Sequence, residues 1–187
     1  MLRKVLISTV LGAIMLFVWT FVANAVFLFN LRVNMKPVFD ERRVYQVLKE
    51  SIVAPGHYVC NPALTSSGIF PSGEPVFAIQ YSGFGHEAAG WLQIVKLPVI
   101  FVMPLIASWM LAVSSQWILS SYFRRVLFLT AIGFLFAFSA YLTKFDIGGY
   151  PLHDTLLLAA YDVVTWLLLG FVVAWRITPA AGVVAHS

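Results

Sequence analysis

Residues 5–31 read VLISTVLGAIMLFVWTFVANAVFLFNL, and this stretch carries no ionisable side chain. Three further apolar runs follow at 97–123, 126–143 and 155–175, the last interrupted by the single charge of Asp162. A helix needs about 20 apolar residues, each rising about 1.5 Å, to cross the hydrocarbon core of a bilayer. Each run is long enough or nearly so, and the sequence therefore predicts four transmembrane helices.

The composition indicates the same fold class. Hydrophobic residues make up 60% of the chain and charged residues 11%, whereas soluble proteins average about 45–50% and about 25%. A soluble fold of this size has too much surface for its volume to bury so many apolar side chains. In lipid, each span must satisfy its own backbone hydrogen bonds, which favours helices. We therefore expect an all-α integral membrane protein.

The basic residues are typical of charges that flank membrane spans. The formal net charge is +4. The basic residues form no cluster larger than pairs such as Arg42–Arg43 and Arg124–Arg125, so we expect no nucleic-acid partner. Cys60 is the only cysteine. This excludes an intramolecular disulfide and a metal site built on several cysteines of one chain.

The first apolar run is predicted to be an uncleaved helix. Residues 23–25, Ala-Asn-Ala, resemble a signal-peptide cleavage site, but the run is too long for a signal peptide and continues beyond that site. The short basic segments at residues 3–4, 124–125 and 176 lie on one side of the membrane if the chain crosses four times. The positive-inside rule makes that side cytoplasmic, so both termini are expected in the cytoplasm. We expect a bacterial inner membrane protein.

The spans divide the chain into four segments. Residues 1–31 hold the first transmembrane helix, and 32–91 form a small extracytoplasmic α+β cap between the first and second helices. Residues 92–176 hold the other three helices, and 177–187 form a cytoplasmic tail.

The cap is predicted to contain one helix and one hairpin. Asp40 is a suitable N-cap, and the apolar residues after it share one helical face: Val44, Val47, Leu48 and Ile52. Short strands are expected at 58–60 and 76–81. So small a unit is not expected to be stable alone, and we expect it to pack on the membrane helices or on a partner.

Asp162 is the most informative single residue. Ionisable groups inside a bilayer are costly and mark a function, a pairing partner or a water-filled cavity. A structural role, hydrogen-bonded to a neighbouring helix, is the favoured interpretation. Asn24, in the outer half of the first helix, is placed to donate to it. Pro104 is expected to kink the second helix.

Two small-residue faces are predicted to allow close helix approach. Gly133 and Ala137 lie four residues apart in the third helix, and Gly170 and Ala174 lie four apart in the fourth. Packing within the chain and association with other subunits both remain open for these faces.

No catalytic, metal or cofactor site is expected. The four histidines, His57, His86, His153 and His186, fall in predicted loops or the tail, which argues against a haem or chlorophyll ligated within a span. The chain lacks a nucleophile elbow, a phosphate loop and a zinc motif. An enzyme that uses His86 or His153 is a third and weaker hypothesis. The many aromatic residues leave contacts with bound lipid or pigment open.

The layout resembles a group of small bacterial inner-membrane proteins with four helices. The resemblance is carried by Trp19 in the first helix, by Phe-Asp-Glu at 39–41 and by Pro-Gly-His-Tyr at 55–58, with Asp162 and Trp166 in the last helix. That group has no assigned activity. The resemblance therefore implies the architecture and the inner membrane, and no function.

The absence of catalytic groups favours a non-enzymatic function. We expect an accessory subunit that stabilises a larger membrane protein complex, with other membrane subunits and lipid as its partners. Photosynthetic and respiratory assemblies are plausible hosts. The alternative is a small transporter, or a conduit for protons or small molecules, centred on Asp162.

Overall fold

The computed structural model describes residues 1–85, 90–91, 94–95, 97–143 and 150–178. Helices α1 to α6 span, in order, Leu2–Ala25, Glu41–Ser51, Val99–Ala112, Gln116–Leu119, Tyr122–Ala137 and Leu152–Arg176. Two π-helical turns, π1 at Asn30–Asn34 and π2 at Phe138–Leu142, follow α1 and α5. Strands β1, Gly56–Cys60, and β2, Phe77–Tyr81, form the sheet.

Among the described residues, three helices are long and apolar enough to cross a membrane. They are α1, α6 and the continuous helix that α5 forms with π2, Tyr122–Leu142. The chain is thus a mostly helical protein with three candidate spans and a small two-stranded sheet. Helix α3 is apolar but has only 14 residues.

Polar contacts identify the two ends of the helical bundle. At one end, here called the cap end, the Lys36 ammonium lies 2.5 Å from the Asp154 carboxylate at the start of α6. At the other, the basic end, Lys4 of α1 donates to the Thr178 hydroxyl, just after α6, at 3.0 Å. Helices α1 and α6 are therefore antiparallel.

The hydrophobic core lies between α3, α5 and α6. Its fully buried side chains include Leu111, Leu129 and Leu169, with Val126 and Val173 beside them. Four of these five residues lie on the halves of α5 and α6 nearer the basic end. Helix α6 packs most extensively on α5, and α1 packs on both α3 and α6.

The first predicted helix is too long at its C-terminal end. Helix α1 ends at Ala25 rather than at Leu31, and the chain turns at Leu28, which adopts a positive φ of 53°. Leucine seldom adopts this left-handed conformation, and it stops a right-handed helix. Hydropathy alone shows no such break, because Val26–Phe29 is as apolar as the helix before it.

The second predicted helix is wrong as a continuous run over 97–123. Helix α3 ends at Ala112, the four-residue α4 follows, and α5 already begins at Tyr122. Ser114 donates its hydroxyl to the Leu111 carbonyl at 2.7 Å. Serine hydroxyls compete in this way with the backbone ladder, so the serine pairs at 114–115 and 120–121 mark the breaks.

The cap helix and hairpin are confirmed. Asp40 caps α2 by accepting from the Arg43 backbone N–H at 3.2 Å. Strands β1 and β2 pair antiparallel, with Gly56 opposite Tyr81 and Cys60 opposite Phe77. The strands begin and end within two residues of the predicted positions.

Candidate functional site: a buried carboxylate inside the bundle

Asp162 lies deeper in its helix than the sequence suggested. Because α6 begins at Leu152 rather than at Thr155, Asp162 lies about 15 Å along the helix from the cap end instead of about 10 Å. Its Oδ2 atom is buried and has no hydrogen-bond partner among the described residues. A carboxylate oxygen in this state is costly unless it is neutralised or given a donor.

Tyr141 is the side chain that the described structure brings to Asp162. The Tyr141 phenol lies beside the Asp162 carboxyl group. Tyr141 belongs to π2, where the helix of α5 widens. Single π-helical turns inside helices are frequent at functional sites, because they change the direction of side chains.

Asn24 does not serve Asp162 as its hydrogen-bond donor. Its Nδ2 atom donates to the Thr20 carbonyl at 2.8 Å, and its Oδ1 atom accepts from the Asn30 backbone N–H at 3.3 Å. Asn24 thus links the end of α1 to the start of π1 across the turn at Leu28. The expected pairing of Asn24 with Asp162 is replaced by this local role.

Aromatic contacts join α1 to α6 beside the buried carboxylate. The Trp19 indole N–H donates to the Thr165 hydroxyl at 2.8 Å. The Tyr161 ring stacks on Trp19, with centroids 5.7 Å apart, and on Phe29, with centroids 4.7 Å apart. The sequence did not identify Thr165 as the acceptor of Trp19, because spacing within one helix carries no information about its neighbour.

The small-residue faces of α5 and α6 are used inside the chain. A methyl group added at Gly133 would lie 2.4 Å from Trp166 Cβ, and one added at Gly170 would lie 3.3 Å from the Val126 carbonyl oxygen. Ala137 and Ala174 are also buried. These four positions let the two helices approach closely.

A third close approach, between α1 and α3, was missed. A methyl group at Gly12 would lie 2.7 Å from Pro104 Cβ. Pro104 lies inside α3, where it contributes its ring to this contact. The spacing of Ser8 and Gly12, two small residues four apart, was the signal that would have identified this face.

Arg125 is buried rather than simply flanking the membrane. Its guanidinium donates to the Ala174 carbonyl at 3.1 Å and to the Leu119 carbonyl. The Ala174 carbonyl is in the last turn of α6, where a cation is favourable. Arg125 therefore fastens α6 to the start of α5 at the basic end, whereas Arg124 lies exposed over the Trp117 ring.

The histidines of the described residues do not form a metal site with neighbouring ligands. No group of three or more His, Cys, Asp or Glu side chains that would hold a metal ion occurs in that part of the chain. His153 lies 3.3 Å from Asp154, beside the ion pair with Lys36. His57 and Cys60 lie on β1, and His86 and His186 lie outside the described residues.

Comparisons with family models, with characterised proteins and with solved structures found no match to this chain. The resemblance to small four-helix inner-membrane proteins therefore stays a prediction.

Proposed function

We propose that this chain is a non-catalytic accessory subunit that stabilises a larger membrane protein complex. The observation that carries the proposal is the uncovered surface of the cap. None of the residues of α2 is buried, and all of them are described. Phe39 beside α2 is fully exposed, and Val47 is 56% exposed. Exposed apolar surface of this kind outside a membrane is typical of a protein contact site.

The cap also has a groove that suits an apolar partner side chain. The groove, about 320 Å³ in volume, lies between α2 and β2. Leu48 and Ile52 line it from the helix side and Ile79 from the strand side. Large hydrophobic side chains that enter such grooves contribute much of the affinity in protein interfaces.

In this proposal the chain crosses the membrane four times. Helix α1 ends at the cap end and α5 begins at the basic end, so the chain between them has to return across the bundle. Helix α3 is the apolar helix on that path, and its Pro104 packs against Gly12 in the middle of α1. The basic end then faces the cytoplasm of a bacterial inner membrane, because Lys4, Arg125 and Arg176 lie there.

The test is extraction from native membranes in mild detergent through a tag placed after Ser187, followed by mass spectrometry. We expect a stoichiometric set of membrane partners. The variant Val47→Glu should lose these partners, since it places a charge on the exposed apolar face. The matched control Ser72→Glu adds the same charge to an exposed loop and should keep them. Recovery of this chain alone, as a stable monomer, would contradict the proposal.

The second candidate function is a proton or small-molecule conduit centred on Asp162. It is favoured by the depth of this residue and by the buried, unpartnered Oδ2 atom among the described contacts. Asp162→Asn should abolish flux in reconstituted vesicles while leaving the helical content unchanged. The absence of flux in the parent protein would refute this candidate.

A further inference from the structure

We propose that a groove between α1 and α6 binds an anionic phospholipid, with an acyl chain along the groove and the phosphate at the basic end of the bundle. The proposal goes beyond both candidate functions, and it requires only that the chain lies in a membrane. The groove has a volume of about 650 Å³. Its apolar walls include Leu11, Met15 and Val18 of α1 and Leu168 and Val172 of α6.

The length and position of the groove suit an acyl chain. On α6 the groove extends from Leu168 to Trp175, the last residue before Arg176, so it reaches the basic end. On α1 it extends from Leu11 to Val22, which is about 16 Å along the helix axis. One leaflet accounts for half of a hydrocarbon core of about 30 Å. The groove is therefore long enough for an acyl chain of the leaflet on the basic side.

Hydrogen bonds between helices fix the walls of the groove. The Tyr122 hydroxyl donates to the Phe171 carbonyl at 3.1 Å, which joins the start of α5 to α6 beside the groove. At the inner end, the Trp19 indole donates to Thr165 at 2.8 Å. Ile14, on the groove, is 54% exposed. The apolar surface is thus formed before a lipid binds, which favours binding because little has to be reordered.

Basic side chains lie at the outer end of the groove. Lys4 lies on the same face of α1 as Leu11, because seven residues make nearly two helical turns. The Lys4 ammonium donates to the Thr178 hydroxyl at 3.0 Å, which places it beside the end of α6. Arg176 follows Val172 by about one turn of α6 and is exposed. These two charges lie where the phosphate of a lipid in the groove is expected.

The distribution of acidic residues favours an anionic headgroup over a zwitterionic one. Among the described residues, every acidic side chain lies in the cap or, as Asp154 and Asp162, in the half of α6 nearer the cap end. No described carboxylate is therefore available to pair with the ammonium group of a zwitterionic lipid beside Lys4 and Arg176. Basic pockets between membrane helices bind anionic headgroups for this reason.

A second groove of the bundle provides an internal comparison. It lies between α6 and the continuous helix of α5 and π2, has a volume of about 860 Å³, and is lined by Phe134, Leu135 and Phe138 with Val164 opposite. None of the described residues that line it is charged. This groove suits an acyl chain of any lipid, and we expect it to show no preference for the headgroup.

The test is a lipid titration of the purified full chain in mild detergent, followed by native mass spectrometry. The two probes are dioleoyl phosphatidylglycerol, which is anionic, and dioleoyl phosphatidylcholine, which has the same acyl chains. We expect phosphatidylglycerol to bind about tenfold more tightly or better, because each basic residue near an anionic headgroup contributes about fivefold. Equal affinities for the two lipids overturn the proposal.

Charge variants test the place of the headgroup. Lys4→Gln and Arg176→Gln should each weaken phosphatidylglycerol binding about fivefold and leave phosphatidylcholine binding unchanged. The matched control is Arg124→Gln, which removes the same charge at the basic end. Arg124 lies on the face of α5 opposite Tyr122, away from the groove, so the control should keep the parent affinity. An equal loss in Arg124→Gln and Lys4→Gln would show a general attraction to the basic end and overturn the site.

Variants that fill a groove test the place of the acyl chain. Ile14→Trp should abolish phosphatidylglycerol binding at concentrations that saturate the parent chain, and Val18→Trp should do the same if Ile14→Trp lacks the parent helical content. Leu135→Trp fills the second groove and should leave the preference for phosphatidylglycerol intact. Saturation of well-folded groove variants at the parent concentrations overturns the proposal.

The same spectra identify other occupants of the groove. A dimer that forms without bound phosphatidylglycerol would show that a second copy of the chain covers the groove, and it overturns the proposal. Glycerol 3-phosphate has the phosphate but no acyl chain, so it should not displace the lipid. Displacement by glycerol 3-phosphate would mean that a soluble phosphate compound is the ligand, which also overturns the proposal.

Discussion

Gly12 of α1 and Pro104 of α3 lie so close that even one added methyl group would overlap, at 2.7 Å, with the proline ring. The proline ring thus packs directly on the α1 backbone, at a position where only glycine fits. The same methyl group would lie 2.9 Å from Leu169 of α6. Gly12 therefore lies where α1, α3 and α6 meet, and a larger side chain there would separate them.

Gly12→Val is expected to destabilise the bundle by about 1–3 kcal/mol, because overpacking forces α1 away from α3 and α6. The control Gly73→Val changes a cap glycine with open space around it and should have little effect. Thermal or denaturant unfolding in detergent, followed by circular dichroism, measures both. Equal stabilities of the two variants would show that α1 and α3 are not packed as described.

Arg125→Met is expected to cost about 2–3 kcal/mol, since it removes the charged hydrogen bonds to the Ala174 and Leu119 carbonyls. The neighbouring Arg124→Met loses only exposed contacts, with the Trp117 ring and carbonyl and with the Ser120 hydroxyl, and its effect should be below about 1 kcal/mol. The same unfolding measurement applied to both variants checks the difference. If Arg124 proves the more important residue, the buried position of Arg125 is refuted.

The Trp19–Thr165 hydrogen bond should contribute about 0.6 kcal/mol, and at most about 1.7 kcal/mol, as is usual between membrane helices. Thr165→Val removes the acceptor at nearly constant volume, and Trp19→Phe removes the donor. A double-mutant cycle on these two changes isolates the pairwise energy. A coupling energy of zero would mean that the 2.8 Å contact is not formed in the membrane.

Cys60 provides a direct measure of topology. It is exposed on β1 and is the only cysteine. A membrane-impermeant maleimide added to intact cells that express the chain should label it if the cap is extracytoplasmic. Cys60→Ser, with a new cysteine at Ser120 near the basic end, should be labelled only after permeabilisation. The reverse pattern would invert the proposed orientation.

Much of the fold follows from the sequence because hydropathy and capping act locally. The apolar runs predicted α6, and the continuous helix of α5 and π2, to within four residues at each end, and Asp40 predicted the start of α2. Hydropathy did not predict the helix breaks after Ala25 and Ala112. Apolar residues can lie in lipid in any backbone conformation whose N–H and C=O groups find hydrogen-bond partners, so a break leaves the hydropathy unchanged. The serine pairs were the available signal for the second break.

The site was predictable only in part. Asp162 stands out in any reading, because a lone carboxylate in an apolar run is costly. Tyr141, Thr165 and Arg125 acquire their roles from a neighbouring helix, and a pattern within one helix does not show which neighbour it will meet. Asn24 was predicted to donate a hydrogen bond to Asp162 because of its depth in the first helix. It instead bonds to the Thr20 carbonyl and the Asn30 backbone N–H, on either side of the helix end.

Helix α6 packs against α1, α3 and α5, and it is the last of these four to leave the ribosome. Until it enters the membrane, Trp19 lacks its acceptor Thr165 and Gly133 of α5 lacks its contact with Trp166. The earlier helices are therefore expected to insert as separate units and to join after translation has reached α6. A nascent chain arrested before Leu152 should consequently show protease-sensitive, loosely associated helices, and extension through Arg176 should convert them into the resistant bundle.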